Sequence, residues 1–112
     1  MGGTVTELSE RIEQVSRGYA RRCNIERNDD WFVLKLQEEA GELVSDYLRL
    51  TGRGRDKGLS ADEVRANMAD EAADLFAHVL LFCRHNGIDI ESAVDRKWFR
   101  YLDKPAPVTA AP

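Results

Sequence analysis

The sequence predicts an all-α fold with four helices, and three observations support this prediction. No segment alternates apolar and polar residues with a period of two, and β-branched residues are few, so strands are not expected. Four segments place apolar residues at helical spacing, and residues that commonly cap helices precede them. A chain of 112 residues is long enough for one domain with a modest core.

The first two helices are expected at about Thr6 to Cys23 and about Asp30 to Leu50. The second begins after Asn28, whose side chain can accept a hydrogen bond from the first turn. The first helix carries one apolar stripe, which we expect to face the core: Leu8, Ile12, Val15 and Tyr19. The second is expected to bury Phe32, Leu36, Ala40, Leu43, Val44 and Tyr47.

A glycine-rich and charged loop at residues 51–58 separates the second helix from the third. Ser60 and Glu63 match the capping-box pattern that opens a helix, and Gly87 is the residue expected just after its end. A fourth, short helix begins near Asp89. We therefore expect a single domain at residues 1–104 and a disordered tail at residues 105–112, which contains three prolines.

Composition excludes several classes of function. The net charge is −4, with 20 acidic and 16 basic residues, and this balance argues against a nucleic-acid-binding surface. The longest apolar run is too short to cross a membrane, and the N-terminus lacks the pattern of a signal peptide. The two cysteines do not form a metal-binding or disulfide motif. A cytoplasmic protein is therefore expected.

Two pairs of acidic residues are the strongest functional signal in the chain. Glu39 and Glu42 occur in Lys35-Leu-Gln-Glu-Glu-Ala-Gly-Glu42, and Glu71 and Asp74 occur in Asp70-Glu-Ala-Ala-Asp74. A spacing of three places each pair on one flank of a predicted core face. Clustered carboxylates repel unless a cation offsets their charge, and Mg²⁺ prefers oxygen ligands. Helical phase places Glu38 and Asp70 away from this cluster.

These acidic motifs resemble the E-E-x-x-E and E-x-x-D signature of MazG-like nucleoside triphosphate pyrophosphohydrolases, an all-α superfamily. The similarity covers about residues 31–101 and includes Asn86-Gly-Ile-Asp-Ile-Glu91 and Asp95-Arg-Lys-Trp-Phe99. It implies a four-helix bundle that assembles as a homodimer or a dimer of dimers. It also implies hydrolysis of an NTP or dNTP between the α and β phosphates, which gives the monophosphate and pyrophosphate and removes unwanted nucleotides.

The resemblance also implies roles for individual residues. Mg²⁺, with Mn²⁺ as the alternative ion, would be held by Glu39, Glu42, Glu71 and Asp74. Glu38 matches the first acid of the signature, and either Glu38 or Glu39 is the candidate general base. Lys97 matches the phosphate-binding lysine. Asp95 and Tyr101 depart from the usual Asn and basic residue at their positions, and Arg100 is the nearest basic residue to the latter.

Other side chains have two readings in the sequence. Lys35 lies on the acidic flank and is a candidate substrate contact. Trp31, Phe32 and Trp98 are candidates to stack on a base, although packing in the core or between subunits is favoured for each. His78 is more readily a structural histidine than a catalytic one. The basic side chains of the 51–58 loop could contact phosphates, but the interpretation as a solvated linker is favoured.

One other functional class remains open and two further classes are disfavoured. The main alternative to a hydrolase is a non-catalytic helical module that keeps the fold for oligomerisation or regulation. A ferritin-like di-iron protein is disfavoured, because that class uses Glu-x-x-His pairs. Leu75 and Phe82 occupy the positions three residues before His78 and His85. The chain also lacks the His-Asp dipeptide of HD-type phosphohydrolases.

Overall fold

The computed structural model describes residues 4–55 and 57–103, and the expected tail at residues 105–112 lies outside this part. Within these ranges the chain forms α-helices and one short 3-10 turn, without strands, which confirms the all-α prediction. The helices are α1 (Val5–Cys23), α2 (Asp29–Leu50), α3 (Ala61–His85) and α4 (Ile90–Trp98), followed by the turn at Phe99–Tyr101.

Local sequence signals explain where these helices begin and end. Asn28 accepts a hydrogen bond from the Trp31 amide at 2.8 Å and so caps α2. Ser60 and Glu63 form the predicted capping box at the start of α3. Gly87 adopts φ +65° after α3, where a side chain would be strained, and the chain reverses there.

The α2 and α3 helices pack against each other as an antiparallel hairpin that positions the acidic residues. His85 at the end of α3 lies 2.7 Å from Asp29 at the start of α2, and its ring stacks on Phe32 with centroids 4.1 Å apart. The buried apolar side chains are few: Ala20, Phe32, Val64, Leu80, Leu81 and Cys83. The hairpin thus carries most of a small core.

The predicted core face of α1 was wrong. Leu8, Val15 and Tyr19 are 37%, 70% and 53% exposed, while Glu13 and Ala20 are the buried residues of this helix. Arg27, in the segment between α1 and α2, holds the helix in place through a bidentate ion pair with Glu13. The apolar stripe of α1 therefore faces a cavity instead of a packed core.

A second apolar surface is exposed on the side of the hairpin away from the acids. Val44 and Tyr47 were predicted to be buried but are 54% and 50% exposed, and Val33, about three turns earlier on α2, is 45% exposed. These three lie roughly 140–180° around α2 from Glu42.

Across the described ranges, no helix has the length and hydropathy needed to span a membrane.

Candidate metal centre

Three of the four predicted acidic ligands converge in the structure. Glu39 and Glu42 come from α2 and Glu71 comes from α3, and one oxygen of each lies within 4.8 Å of the others. The spacing of three residues places the first two on one flank of α2, and the antiparallel packing of α3 brings Glu71 to the same flank. The cluster therefore depends on two helices that are distant in sequence.

The negative charge of this cluster is not balanced by positive charge from the described residues. Glu39 is only 7% exposed, and burial together with the neighbouring Glu42 and Asp74 carboxylates raises its pKa to about 7. Burial and the same two carboxylates raise the pKa of Glu71 to about 7 as well. Within the described ranges, Glu39 Oε2 and Glu71 Oε2 are buried without a hydrogen-bond partner. Such groups are costly unless a ligand satisfies them.

The donor set fits a hard divalent cation. All three candidate ligands are carboxylates, and Mg²⁺ and Mn²⁺ bind oxygen in preference to softer donors. Ligand oxygens around one Mg²⁺ lie about 3–4 Å apart, which is close to the separation already present. The separation of their oxygens therefore allows Glu39, Glu42 and Glu71 to hold one ion.

Lys35 supplies the nearest positive charge. Its Nζ lies 3.9 Å from Glu39 Oε1 and forms a closer ion pair with Glu38. Burial opposes the charged form of Lys35, but the hydrogen bond and charge of Glu38 and the charges of Glu39 and Glu42 raise its pKa overall. One lysine thus offsets only part of the acidic charge, and Glu38 stays at the exposed edge as helical phase predicted.

Asp74 lies beside the three-carboxylate cluster and is not one of its members. It is exposed, and it lines the same cavity as Glu39 and Lys35. Its charge still raises the pKa of Glu39 and of Glu71, so it is close enough to act on both. Three of the four predicted ligands therefore lie in one cluster, and the fourth lies at its margin.

The predicted phosphate contacts on the last helix are not brought to this cluster within one chain. Lys97 lies on α4, which packs through Ile90 and Val94 on the side of α3 that carries Phe76. That side is roughly 160° around α3 from Asp74. Arg100 instead donates to the Tyr101 hydroxyl at 2.9 Å.

His78 and Trp31 lie next to the acidic cluster, and both line the cavity beside it. The His78 Nε2 atom lies 4.0 Å from Glu39 Oε1, and its ring contacts the Trp31 ring edge-on with centroids 5.7 Å apart. Burial, followed by the charge of Lys35, lowers the pKa of His78. The available signal was the spacing of four residues from Asp74, which places His78 on the acidic flank.

Comparison with known proteins does not identify a relative: no protein-family model, curated protein or solved structure matches this chain. The functional argument therefore rests on the acidic cluster and on the cavity beside it.

Proposed function

We propose that this chain is a MazG-like, Mg²⁺-dependent nucleoside triphosphate pyrophosphohydrolase. It would cleave an NTP or dNTP between the α and β phosphates and release the monophosphate and pyrophosphate, as a cytoplasmic house-cleaning enzyme. The observation that carries the proposal is the convergence of Glu39, Glu42 and Glu71, with two buried oxygens that have no partner in the described ranges. An anionic substrate needs positive charge at such a site.

Each acidic residue has a distinct place in this proposal. Glu39, Glu42 and Glu71 would hold the ion, and Asp74 beside them would accept a further contact from it or from its water shell. A bound Mg²⁺ would offset the negative charge of the triphosphate and orient its oxygens. Lys35, 3.9 Å from Glu39, is placed to contact a phosphate oxygen from the same side.

Glu38 is the better-placed general base of the two candidates. Glu39 belongs to the ion-binding cluster, so its oxygens would be engaged there. The Glu38 side chain is 53% exposed, and its only close partner among the described side chains is Lys35. When Lys35 turns to a phosphate, Glu38 becomes free to accept the proton of an attacking water.

The active form is proposed to be a homodimer or a dimer of dimers. Val33, Val44 and Tyr47 on α2 and Phe76 and Phe99 nearby are each 45–54% exposed. Large apolar side chains exposed to this extent are costly in water and typical of subunit contacts. A second copy would bury them, and a basic residue such as Lys97 could then approach the cluster of the partner.

The deciding experiment measures pyrophosphate release from a panel of NTPs and dNTPs with Mg²⁺ or Mn²⁺. We expect turnover of at least one nucleotide, and Glu42→Gln should abolish it while the helical circular dichroism signal is retained. Asp70→Asn is the matched control, because Asp70 is exposed and absent from the cluster. A folded wild type without turnover or Mg²⁺ binding would instead favour the non-catalytic oligomerisation or regulatory module.

A further inference from the structure

A cavity of about 610 Å³ lies between α1 and the α2–α3 hairpin and opens beside the acidic cluster. One wall is the apolar stripe of α1, formed by Leu8, Ile12, Val15 and Tyr19. The other wall carries polar and aromatic groups of the hairpin, namely Trp31, Lys35, Glu39, Asp74 and His78. Pockets of this size and mixed character commonly bind small organic molecules.

The α1 wall leaves apolar surface without a protein partner. Val15 and Tyr19 line the cavity although they are 70% and 53% exposed. An amphipathic helix normally turns its apolar stripe into the core, since burial is worth roughly 25 cal/mol per Å². An apolar ring placed against these side chains would recover burial that the described part of the chain does not provide.

The hairpin wall adds an aromatic corner with polar atoms. The rings of Trp31 and His78 are in edge-to-face contact at 69°, and both line the cavity. His78 Nε2 is 4.0 Å from Glu39 Oε1, and Glu39 also lines the cavity, so this corner adjoins the acidic cluster. His78 Nδ1 is buried and has no hydrogen-bond partner in the described ranges. A flat ring with hydrogen-bonding edges suits these surroundings better than an aliphatic group does.

We propose that this cavity receives the base of the nucleotide and that His78 is the side chain that discriminates between bases. The base would lie between the α1 stripe and Trp31, with its polar edge towards His78. The phosphates of the nucleotide would point towards Lys35 and the acidic cluster. The phosphate half of this arrangement rests on the proposed hydrolase function. The ring half rests on the cavity alone, so the two can be tested separately.

The test uses deoxynucleosides, which lack phosphates, and omits metal. The chain has two tryptophans, so Trp98→Phe leaves Trp31 as the sole fluorescent reporter inside the cavity. We expect the four common deoxynucleosides to quench Trp31 fluorescence with dissociation constants that differ by at least about tenfold. One buried hydrogen bond gained or lost changes a dissociation constant by roughly this factor. His78→Phe, which keeps a flat ring, should reduce this spread to about threefold or less.

His85→Phe is the matched control, because it also replaces a histidine that contacts an aromatic ring but lies outside the cavity lining. It should leave the spread of dissociation constants unchanged. A second variant addresses the α1 wall: Val15→Asp should weaken every deoxynucleoside at least about fivefold, whereas Gln14→Asp, outside the lining, should not. Val15 is exposed enough for this change to preserve folding.

The outcomes separate this inference from the proposed function. Quenching without pyrophosphate release would support the base cavity and contradict the hydrolase. Pyrophosphate release without quenching of Trp31 by any deoxynucleoside would overturn the cavity inference alone. Quenching with an unchanged spread in His78→Phe would overturn the role of His78.

Discussion

Two buried carboxylates in this chain have nearly the same exposure and opposite surroundings. Glu13 on α1 is 8% exposed and Glu39 on α2 is 7% exposed. Glu13 accepts hydrogen bonds from Arg17 at 2.8 Å and from both terminal nitrogens of Arg27 at 2.9–3.0 Å. The hydrogen bond from Arg27 contributes most to lowering the pKa of Glu13 to about 2, against the effect of burial.

Glu39 has no comparable partner. Lys35 Nζ and His78 Nε2 lie 3.9 and 4.0 Å from its Oε1 atom, and its Oε2 atom has no partner among the described residues. Burial and the neighbouring Glu42 raise its pKa to about 7. The two sites therefore differ in how much compensating charge the described residues supply.

The difference separates a structural carboxylate from a functional one. A buried charge that is fully paired fixes the position of one element against another, as Glu13 does for α1. A buried charge that is left unpaired costs folding free energy, and such groups cluster at ligand sites. Burial by itself does not distinguish the two, whereas the hydrogen-bond partners do.

The largest expected effect is on catalysis. Glu39→Gln should lower the rate of pyrophosphate release at least about 100-fold, because even residues that only support metal ligands contribute about 10–100-fold. Glu13→Gln should keep the rate within about threefold at a temperature where it is folded. Initial rates at saturating Mg²⁺ measure both, and equal losses in the two variants would remove the distinction between the sites.

The next effect is on stability and should run in the opposite order. Glu13→Gln should lower the free energy of unfolding by about 3 kcal/mol, because the part-buried guanidinium of Arg27 would lose its charged partner. Glu39→Gln should leave the metal-free protein as stable as the wild type or more stable, since it removes an uncompensated charge. Urea unfolding followed by circular dichroism measures the difference. Glu10→Gln, an exposed position on the same helix, is the control.

The smallest effect is a pH dependence of opposite sign at the two sites. The pKa of Glu13 is about 2 in the fold against an ordinary 4.5, so its stabilisation is present above pH 4.5 and is lost as the pH falls towards 2. The pKa of Glu39 is about 7 against 4.5, so the metal-free fold loses stability as the pH rises from 4.5 to 7.

Each contribution should amount to about 2 kcal/mol, and urea midpoints measured between pH 3 and 8 in EDTA would reveal them. The decline above pH 4.5 should weaken in Glu39→Gln, while the acid-side decline should weaken in Glu13→Gln. A decline above pH 4.5 that is unchanged in Glu39→Gln would contradict the assignment.

The helices themselves were largely predictable, because their signals are local. The capping box at Ser60, the Asn28 cap and the turn at Gly87 each depend on a few neighbouring residues, and the structure confirms them. The prediction of the α1 core face was wrong because it depends on tertiary packing and not on local signals. Periodicity shows that Val15 and Tyr19 share a face, but it does not show what that face meets.

The sequence by itself determined the acidic flanks of α2 and α3, since a spacing of three residues fixes their relative direction on any helix. Only the tertiary structure decided that Glu71 meets Glu39 and Glu42, that Asp74 lies beside them, and that α4 carries Lys97 to another side of α3. It also decided that both oxygens of Glu13 are hydrogen-bonded, while Glu39 Oε2 has no partner among the described residues. These outcomes depend on how helices distant in sequence pack, and one-dimensional periodicity contains no information about partners.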